Sequence, residues 1–552
     1  MRVCLFVVCL LLHVQAAGAQ DITAPRFGVA SNFGQGMPPG LLQRALDLGF
    51  SNFRDAVYWA NIETAPGRYD FATPMTTYPD LIAAAGATMS LTVNNGHPAY
   101  ENGATPLDAP AVAAFGRAVG ATVARFPAIT EVEIGNEFNS VNFVSGPLKS
   151  AGLAARAKAY AALAGSVVDH VKTPGITFIG GGVHSIPTGY LARVLDAGAF
   201  RGVDHLAVHP YDTPWPHLGQ QLSVLRRAPA FAQMPVQVTE FGTQSPREAV
   251  DLLYRAYCDM ALAGVERAVW YPLNARGDGY VPLIEPDLSL TDVGRAALFV
   301  QNTIAGKPVR PINAGRYTFG CVFGEQIAVI WGHPQSVTVE TDAVEVLQTP
   351  TRNAGAVHSL AETQVLVLRA TSDAPIETLL TFGGYNVLAD TWYDFHYPAA
   401  SSKAAPFTFL AQSPSATQPL ITMPGQDRGG VPWTPYLGLK ETKDLRVLPR
   451  SVLPAGTATA PQRVILRHRV PQDHTVDVDI SLAAAERSRD GIDMAFHLNG
   501  VPLLSQRGLR RFETRLPQLE LLKGDQLDLI IGPGATAAGD VTRYRVILRA
   551  SD

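Results

Sequence analysis

Between Phe27 and Gly306 short apolar runs alternate with longer amphipathic ones, and this alternation constrains the fold more than any other feature of the chain. Strand candidates fall at 27–31, 52–59, 89–95, 131–136, 177–183, 204–209, 236–240 and 267–271. Helical periodicity fills the gaps at 39–48, 78–87, 109–125, 150–171, 189–199, 219–228, 246–263 and 291–304. Asp108 and Pro110 give one helix a cap and a first-turn proline, while Thr291 with Asp292 start the last helix and Gly306 stops it. Eight strand–helix units in this length predict one closed parallel (β/α)₈ barrel. A doubly wound sheet would want a glycine-rich phosphate loop after its first strand, and FGVASNFGQG over 27–36 lacks that spacing.

Past Gly306 the pattern turns to short strands, at 326–331, 337–340 and 363–368, which predict a small β-domain over 307–370 packed on the barrel (20–306). Strands at 462–470, 475–482, 493–498, 526–531 and 542–548 predict a jelly-roll-like β-sandwich over 371–552. The stretch 401–428, rich in Ser, Ala and Pro, reads as a long surface loop.

Arg2, an apolar run over 3–14 and Ala17-Gly18-Ala19 form a signal-peptide pattern over 1–19, so the mature chain is expected to start near Gln20 and to be secreted or periplasmic. That run is too short for a comfortable membrane crossing, and no other apolar run predicts a span after cleavage. A net charge of −4 over 552 residues gives no basic footprint for nucleic acid. Cys4 and Cys9 leave with the signal. Cys258 and Cys321 allow one pairing, which the sequence leaves open, and make no disulfide framework.

In a (β/α)₈ barrel the chemistry sits at the C-terminal ends of the strands. There the chain places Arg54, Asp55, Tyr58 and Trp59 after strand two, Asn94, Asn95 and His97 after strand three, and Asn136-Glu137 after strand four. Strand six ends in His209, Tyr211 and Asp212, strand seven in Glu240, and strand eight in Trp270 and Tyr271. Two carboxylates at one rim suit glycoside hydrolysis: one protonates the leaving oxygen, the other meets the oxocarbenium-like centre. Aromatic rings suit the apolar faces of sugars, and Asn and His suit their hydroxyls.

The runs EIGNEFN, AVHPY and VTEFGT resemble signatures of the clan A glycoside hydrolases at their fourth, sixth and seventh strands, and the chain is most similar to glycoside hydrolase family 39 over about 27–370. That family includes β-xylosidases and hydrolases of bacterial exopolysaccharides. The resemblance implies retaining hydrolysis of β-D- or α-L-glycosidic bonds, with Glu137 as general acid/base and Glu240 as nucleophile. It implies that Asn136 bonds the hydroxyl beside the reacting carbon, that Tyr211 and Arg54 hold Glu240, and that Trp270 floors the subsite. Phe138 stands where many relatives carry proline. Asn95, His97 and His209 are expected at the sugar, and Trp215 at an outer subsite. An acid on a partly apolar wall facing a second carboxylate is expected to have a raised pKa.

His97 and His209 lack zinc-ligand spacing, so no metal is expected, and two carboxylates with water need no cofactor. In the sandwich, Trp392, Tyr393, Trp433 and Tyr436 suit either sugar stacking or packing on the barrel. The loops 140–149 and 274–290 are long enough to wall the cleft. The rival readings are a polysaccharide lyase and a non-catalytic carbohydrate-binding matrix protein.

Overall fold

The computed structural model describes residues 22–37, 39–94, 96–350, 355–399 and 405–551; the signal-peptide pattern and Asn95 lie outside them. A closed parallel barrel forms from β1 (Arg26–Ala30), β2 (Asn52–Asp55), β3 (Thr88–Val93), β4 (Ile129–Ile134), β5 (Thr177–His184), β6 (His205–His209), β7 (Val236–Phe241) and β8 (Val265–Trp270), with β1 pairing both β2 and β8. Around it run α1 (Pro39–Asp47), α2 (Tyr78–Ala84), α3 (Ala109–Arg125), α4 (Leu153–His170), α5 (Thr188–Asp196), α6 (Leu218–Leu225), α7 (Ala249–Leu262) and α8 (Asp292–Phe299). The caps read from sequence are in place: Asp108 accepts from the Ala111 amide at 2.7 Å and Thr291 from that of Gly294 at 2.9 Å. The second strand is shorter than its apolar run, because Trp59 begins a one-turn helix, Trp59–Ile62, and is buried against His97 and Tyr100.

A five-stranded antiparallel sheet follows, built from Val309–Pro311, Thr318–Phe323, Ile327–Gly332, Leu366–Ala370 and Val344–Gln348. One of its faces, with Phe323, Val329 and Trp331, joins the barrel core. A disulfide between Cys258 on α7 and Cys321 pins the two units, with Cα atoms 5.8 Å apart. A three-stranded sheet completes the unit and draws on Leu380–Phe382, past residue 370.

The C-terminal unit is two antiparallel sheets around a separate apolar core. The stretch read as a loop carries strands at Phe407–Gln412, Thr417–Pro419 and Ile421–Met423. Its alternation was masked by composition: Phe407, Phe409 and Ala411 point inward and Thr408 outward. Among the described residues no helix is long and apolar enough to cross a membrane.

Candidate active site

Glu137 reaches the rim through an unusual backbone. After β4, Gly135 (φ 83°) and Glu137 (φ 47°) both take left-handed conformations. For a non-glycine residue this region is sparsely populated and costs of order 1 kcal/mol. Neighbouring groups hold it there. The Glu137 amide donates to Gly182 O at 2.6 Å, and Tyr160 donates to Ile134 O at 2.9 Å while accepting from the Gly181 amide at 2.6 Å. A Cβ on Gly135 would come within 2.8 Å of the Tyr160 ring, so the turn needs glycine there. On β5 the register against β6 slips between Gly180 and Val183, and this bulge delivers His184 to Glu137.

Glu240, at the end of β7, accepts from Arg54 Nη1 at 2.6 Å and from the Tyr211 hydroxyl at 3.0 Å. Arg54 also donates to Glu133 from Nε (2.5 Å) and Nη2 (3.1 Å), and from Nη2 to Asn136 Oδ1 at 3.0 Å. One guanidinium thus fixes the nucleophile candidate, the amide and a buried carboxylate. Glu133 is fully buried and also accepts from Thr239 at 2.8 Å. Burial alone would raise its pKa, but Arg54 and His209 together hold it well below the usual carboxylate range. Burial works against Arg54's charge, and Glu133 and Glu240 more than restore it.

A carboxylate oxygen of Glu137, one of Glu240 and a ring nitrogen of His209 lie within 4.8 Å of one another. His209 faces Glu137 with Nδ1 at 3.0 Å and Thr239 Oγ1 with Nε2 at 3.0 Å. Thr239 spends its proton on Glu133, so Nε2–H donates to it, and Nδ1–H donates to a carboxylate. His184 lies between two carboxylates, Nδ1 3.2 Å from Glu137 and Nε2 3.2 Å from Asp212. Both rings are therefore placed as imidazolium ions. Burial opposes that charge, but the carboxylates push His209 up to about 9 and His184 up to about 10. Glu137 consequently departs from the expectation of a raised pKa. Burial would lift it, yet hydrogen bonds from His184 and His209 bring it down to about 2.

The predicted residues divide. Arg54, Asn136, Glu137, Tyr211 and Glu240 come together as expected. His209 is fully buried and spends both nitrogens on protein, so it positions Glu137 and does not face a sugar. His97 accepts from the Ala99 amide on Nδ1 and donates from Nε2 to Glu63 O, which leaves no nitrogen for a ligand. Trp270 is 0% exposed, with its indole N–H on Val281 O at 3.1 Å, and so is no open platform. The aromatic wall is made by other rings: Tyr280, from the loop 274–290, packs edge-on against both Tyr211 and Tyr271 at 5.4 Å. Trp215 is half-buried beside Phe241 and lines the cleft wall. Glu240 keeps 13% of its side chain exposed and Glu137 6%.

Residues not singled out from sequence are Glu133, His184 and Gln426. Glu133 sits three residues before Asn136 on an apolar strand, where a charge at an inward position was the available signal. From the C-terminal unit, Gln426 exchanges hydrogen bonds with Asn139, accepting from Nδ2 at 2.9 Å and donating to its carbonyl at 3.1 Å. Trp433 packs edge-on against His184 at 5.1 Å. Trp392 and Tyr436 are buried, and Tyr393 stacks on Phe319 at 4.4 Å.

Glu137, His209 and Glu240 group three metal-type donors, as do His333, Glu362 and Asp390. A guanidinium already occupies each group, Arg54 on Glu240 and Arg545 on Glu362 and Asp390, which opposes a cation at either.

No family model matches the chain, and no curated protein does. Among solved structures, a family 39 glycoside hydrolase from the gut symbiont Bacteroides cellulosilyticus WH2 is 18% identical, with TM-score 0.49 over 64% of this chain and 82% of that one. A GH30 endoxylanase from Clostridium papyrosolvens C71 is 13% identical (TM-score 0.44; 64% and 97%). A GH39 β-xylosidase from Caulobacter crescentus is 16% identical (TM-score 0.44; 64% and 98%). At such values the likeness assigns no activity, and any functional reading rests on the side chains above.

Proposed function

We propose that the chain is a retaining glycoside hydrolase acting on β-D- or α-L-linked sugars of a polysaccharide or oligosaccharide. The observation that carries this reading is the approach of Glu137 and Glu240 to within 4.8 Å. Carboxyl groups about 5–5.5 Å apart suit a covalent intermediate, whereas inverting enzymes need about 6.5–9.5 Å to admit water between them.

In the first step a Glu240 oxygen bonds the anomeric carbon as the bond to the leaving oxygen breaks. The proton held on the His184 imidazolium is relayed through Glu137 to that oxygen, which leaves the ring neutral. In the second step water attacks the anomeric carbon, its proton returns through Glu137, and the ester to Glu240 breaks. Arg54 and Tyr211 orient Glu240. Among the described residues Asn136 Nδ2 has no protein partner, which leaves it to donate to the neighbouring sugar hydroxyl. The Cys258–Cys321 bridge supports an exported setting, secreted or periplasmic, in keeping with the sequence of 1–19.

Assays on aryl glycosides and on plant and bacterial polysaccharides, followed by proton NMR of the first-formed anomer, test the proposal. Retention with loss of turnover in Glu240→Gln is expected. An inverted product or an unaffected variant would overturn the mechanism. An unsaturated, ultraviolet-absorbing product would mark a lyase, and binding without release of reducing ends a matrix protein.

A further inference from the structure

A cleft of about 780 Å³ opens where the loop after β6, the start of α7 and the C-terminal sheet meet. It falls within the usual range of ligand sites, about 300–1,000 Å³. Tyr211 and Asp212 form its inner end, and these are the residues that hold Glu240 and His184. Trp215 stands on its wall.

Five arginines line this cleft: Arg255, Arg450, Arg511, Arg543 and Arg545. Two are neutralised, Arg511 by Glu513 and Arg545 by Glu362 and Asp390. Among the described residues the other three have no carboxylate at ion-pair distance. Arg450 lies over the Trp392 ring, its Cζ 3.9 Å from the centroid, which fixes a cation without cancelling it. Arg255 keeps a buried Nε with no hydrogen-bond partner. Burial lowers Arg450's pKa, with Arg545 and Arg255 adding to the effect and Tyr393 and Glu362 opposing it without cancelling it. Of the acids on this wall, Asp212 is committed to His184 and Ser185, and behind the wall Asp251 and Asp259 offset Arg255 in part, which leaves Arg450 and Arg543 as the least compensated cations.

We infer that this cleft is an outer subsite for an anionic glycan, one whose sugars carry carboxylate or sulfate groups beyond the cleaved bond. The inference rests on the glycosidase reading, since Tyr211 both lines this cleft and holds Glu240. Guanidinium forks match carboxylate and sulfate oxygens in pairs, and Trp215 offers a ring face between them.

The test is calorimetric titration of the full-length Glu240→Gln protein with oligogalacturonates, sulfated galactan oligosaccharides and neutral xylo- and manno-oligosaccharides of equal length. At least one anionic series should bind about tenfold or more tightly than the neutral ones. That preference should shrink as salt rises from about 0.05 to about 0.5 M. It should vanish in the Arg450→Gln/Arg543→Gln double variant, with circular dichroism reporting its fold. The two anionic series separate carboxylate from sulfate recognition. Neutral sugars binding as tightly as every anionic probe, or a salt-independent preference in the protein with both arginines, would overturn the inference. Turnover of neutral glycosides by the unaltered enzyme without anionic preference would sink this subsite alone. Anionic binding with no turnover of any glycoside by the unaltered protein would sink the hydrolase reading and leave the cleft standing.

Discussion

His184 Nδ1 lies 3.2 Å from Glu137 Oε1, so the candidate acid shares its proton with an imidazole. His184 is raised to about 10 and Glu137 lowered to about 2, and in the free protein the proton rests on the ring. Activity should therefore persist well into alkaline pH and fall only as the histidine pair deprotonates, near 9 to 10. In His184→Asn that limb should move to lower pH. Turnover of unactivated glycosides should drop about tenfold to a hundredfold, with little change on aryl glycosides whose leaving group needs no proton. Identical pH–rate profiles for the two proteins would refute the shared-proton arrangement.

Glu133 is the buried counter-charge of Arg54, at 2.5 Å. Removing one member of such a pair leaves an uncompensated charge and costs about 3–5 kcal/mol. Glu133→Gln should lower the urea midpoint accordingly and also depress kcat, because Arg54 would no longer be held on Glu240. The sign with pH follows from its depressed pKa: the contribution is present above 4.5, the ordinary glutamate value, and is lost as pH falls below it. A midpoint unchanged by the substitution contradicts this.

Trp433 touches His184 from the sandwich domain. Trp433→Ala should raise KM several-fold with a smaller effect on kcat, since it removes a wall and no reacting group. Gln426→Ala should cost about 1–3 kcal/mol by removing two buried hydrogen bonds to Asn139, whose amide keeps His184 O and whose carbonyl keeps Arg156, read from thermal unfolding. A Trp433→Ala enzyme with unaltered KM on every active substrate would argue against its place at the site.

His217 is fully buried between Trp392 and Phe395, at 4.7 and 5.7 Å, in the barrel–sandwich junction. Burial brings its pKa down to about 3. Unfolding lets it take a proton below 6.5, so its contribution is full above that pH and is lost progressively toward 3. His217→Phe should flatten the decline of the melting temperature over that window. A decline as steep as in the parent protein would exclude His217 as its source.

The barrel was legible because its period repeats, and each strand-end residue inherits a direction from the strand before it. Arg54, Asn136, Glu137, Tyr211 and Glu240 could be placed together for that reason. Trp270 sits one residue short of the rim, on the buried end of β8, and a single step along a strand reverses its face. His184 was hidden behind Gly180-Gly181-Gly182, because a bulge changes facing in a way that alternation does not record. Gln426 was out of reach, since a contact made 287 residues apart in the chain leaves no local pattern, and the sequence offers Trp433 for stacking or packing without showing that His184 is what it meets. The raised pKa expected of Glu137 failed with the histidines, which local reasoning had not brought to it.

The segment that carries Gln426 and Trp433 also receives the Gly189 amide on Gly425 O at 2.9 Å, so it grips the start of α5 as well as the turn after Glu137. The barrel is thus braced from outside itself. A chain cut after the small β-domain would keep both glutamates yet lose the strut behind one of them, and trimming this protein to a minimal enzyme would have to graft residues 424–434 back in.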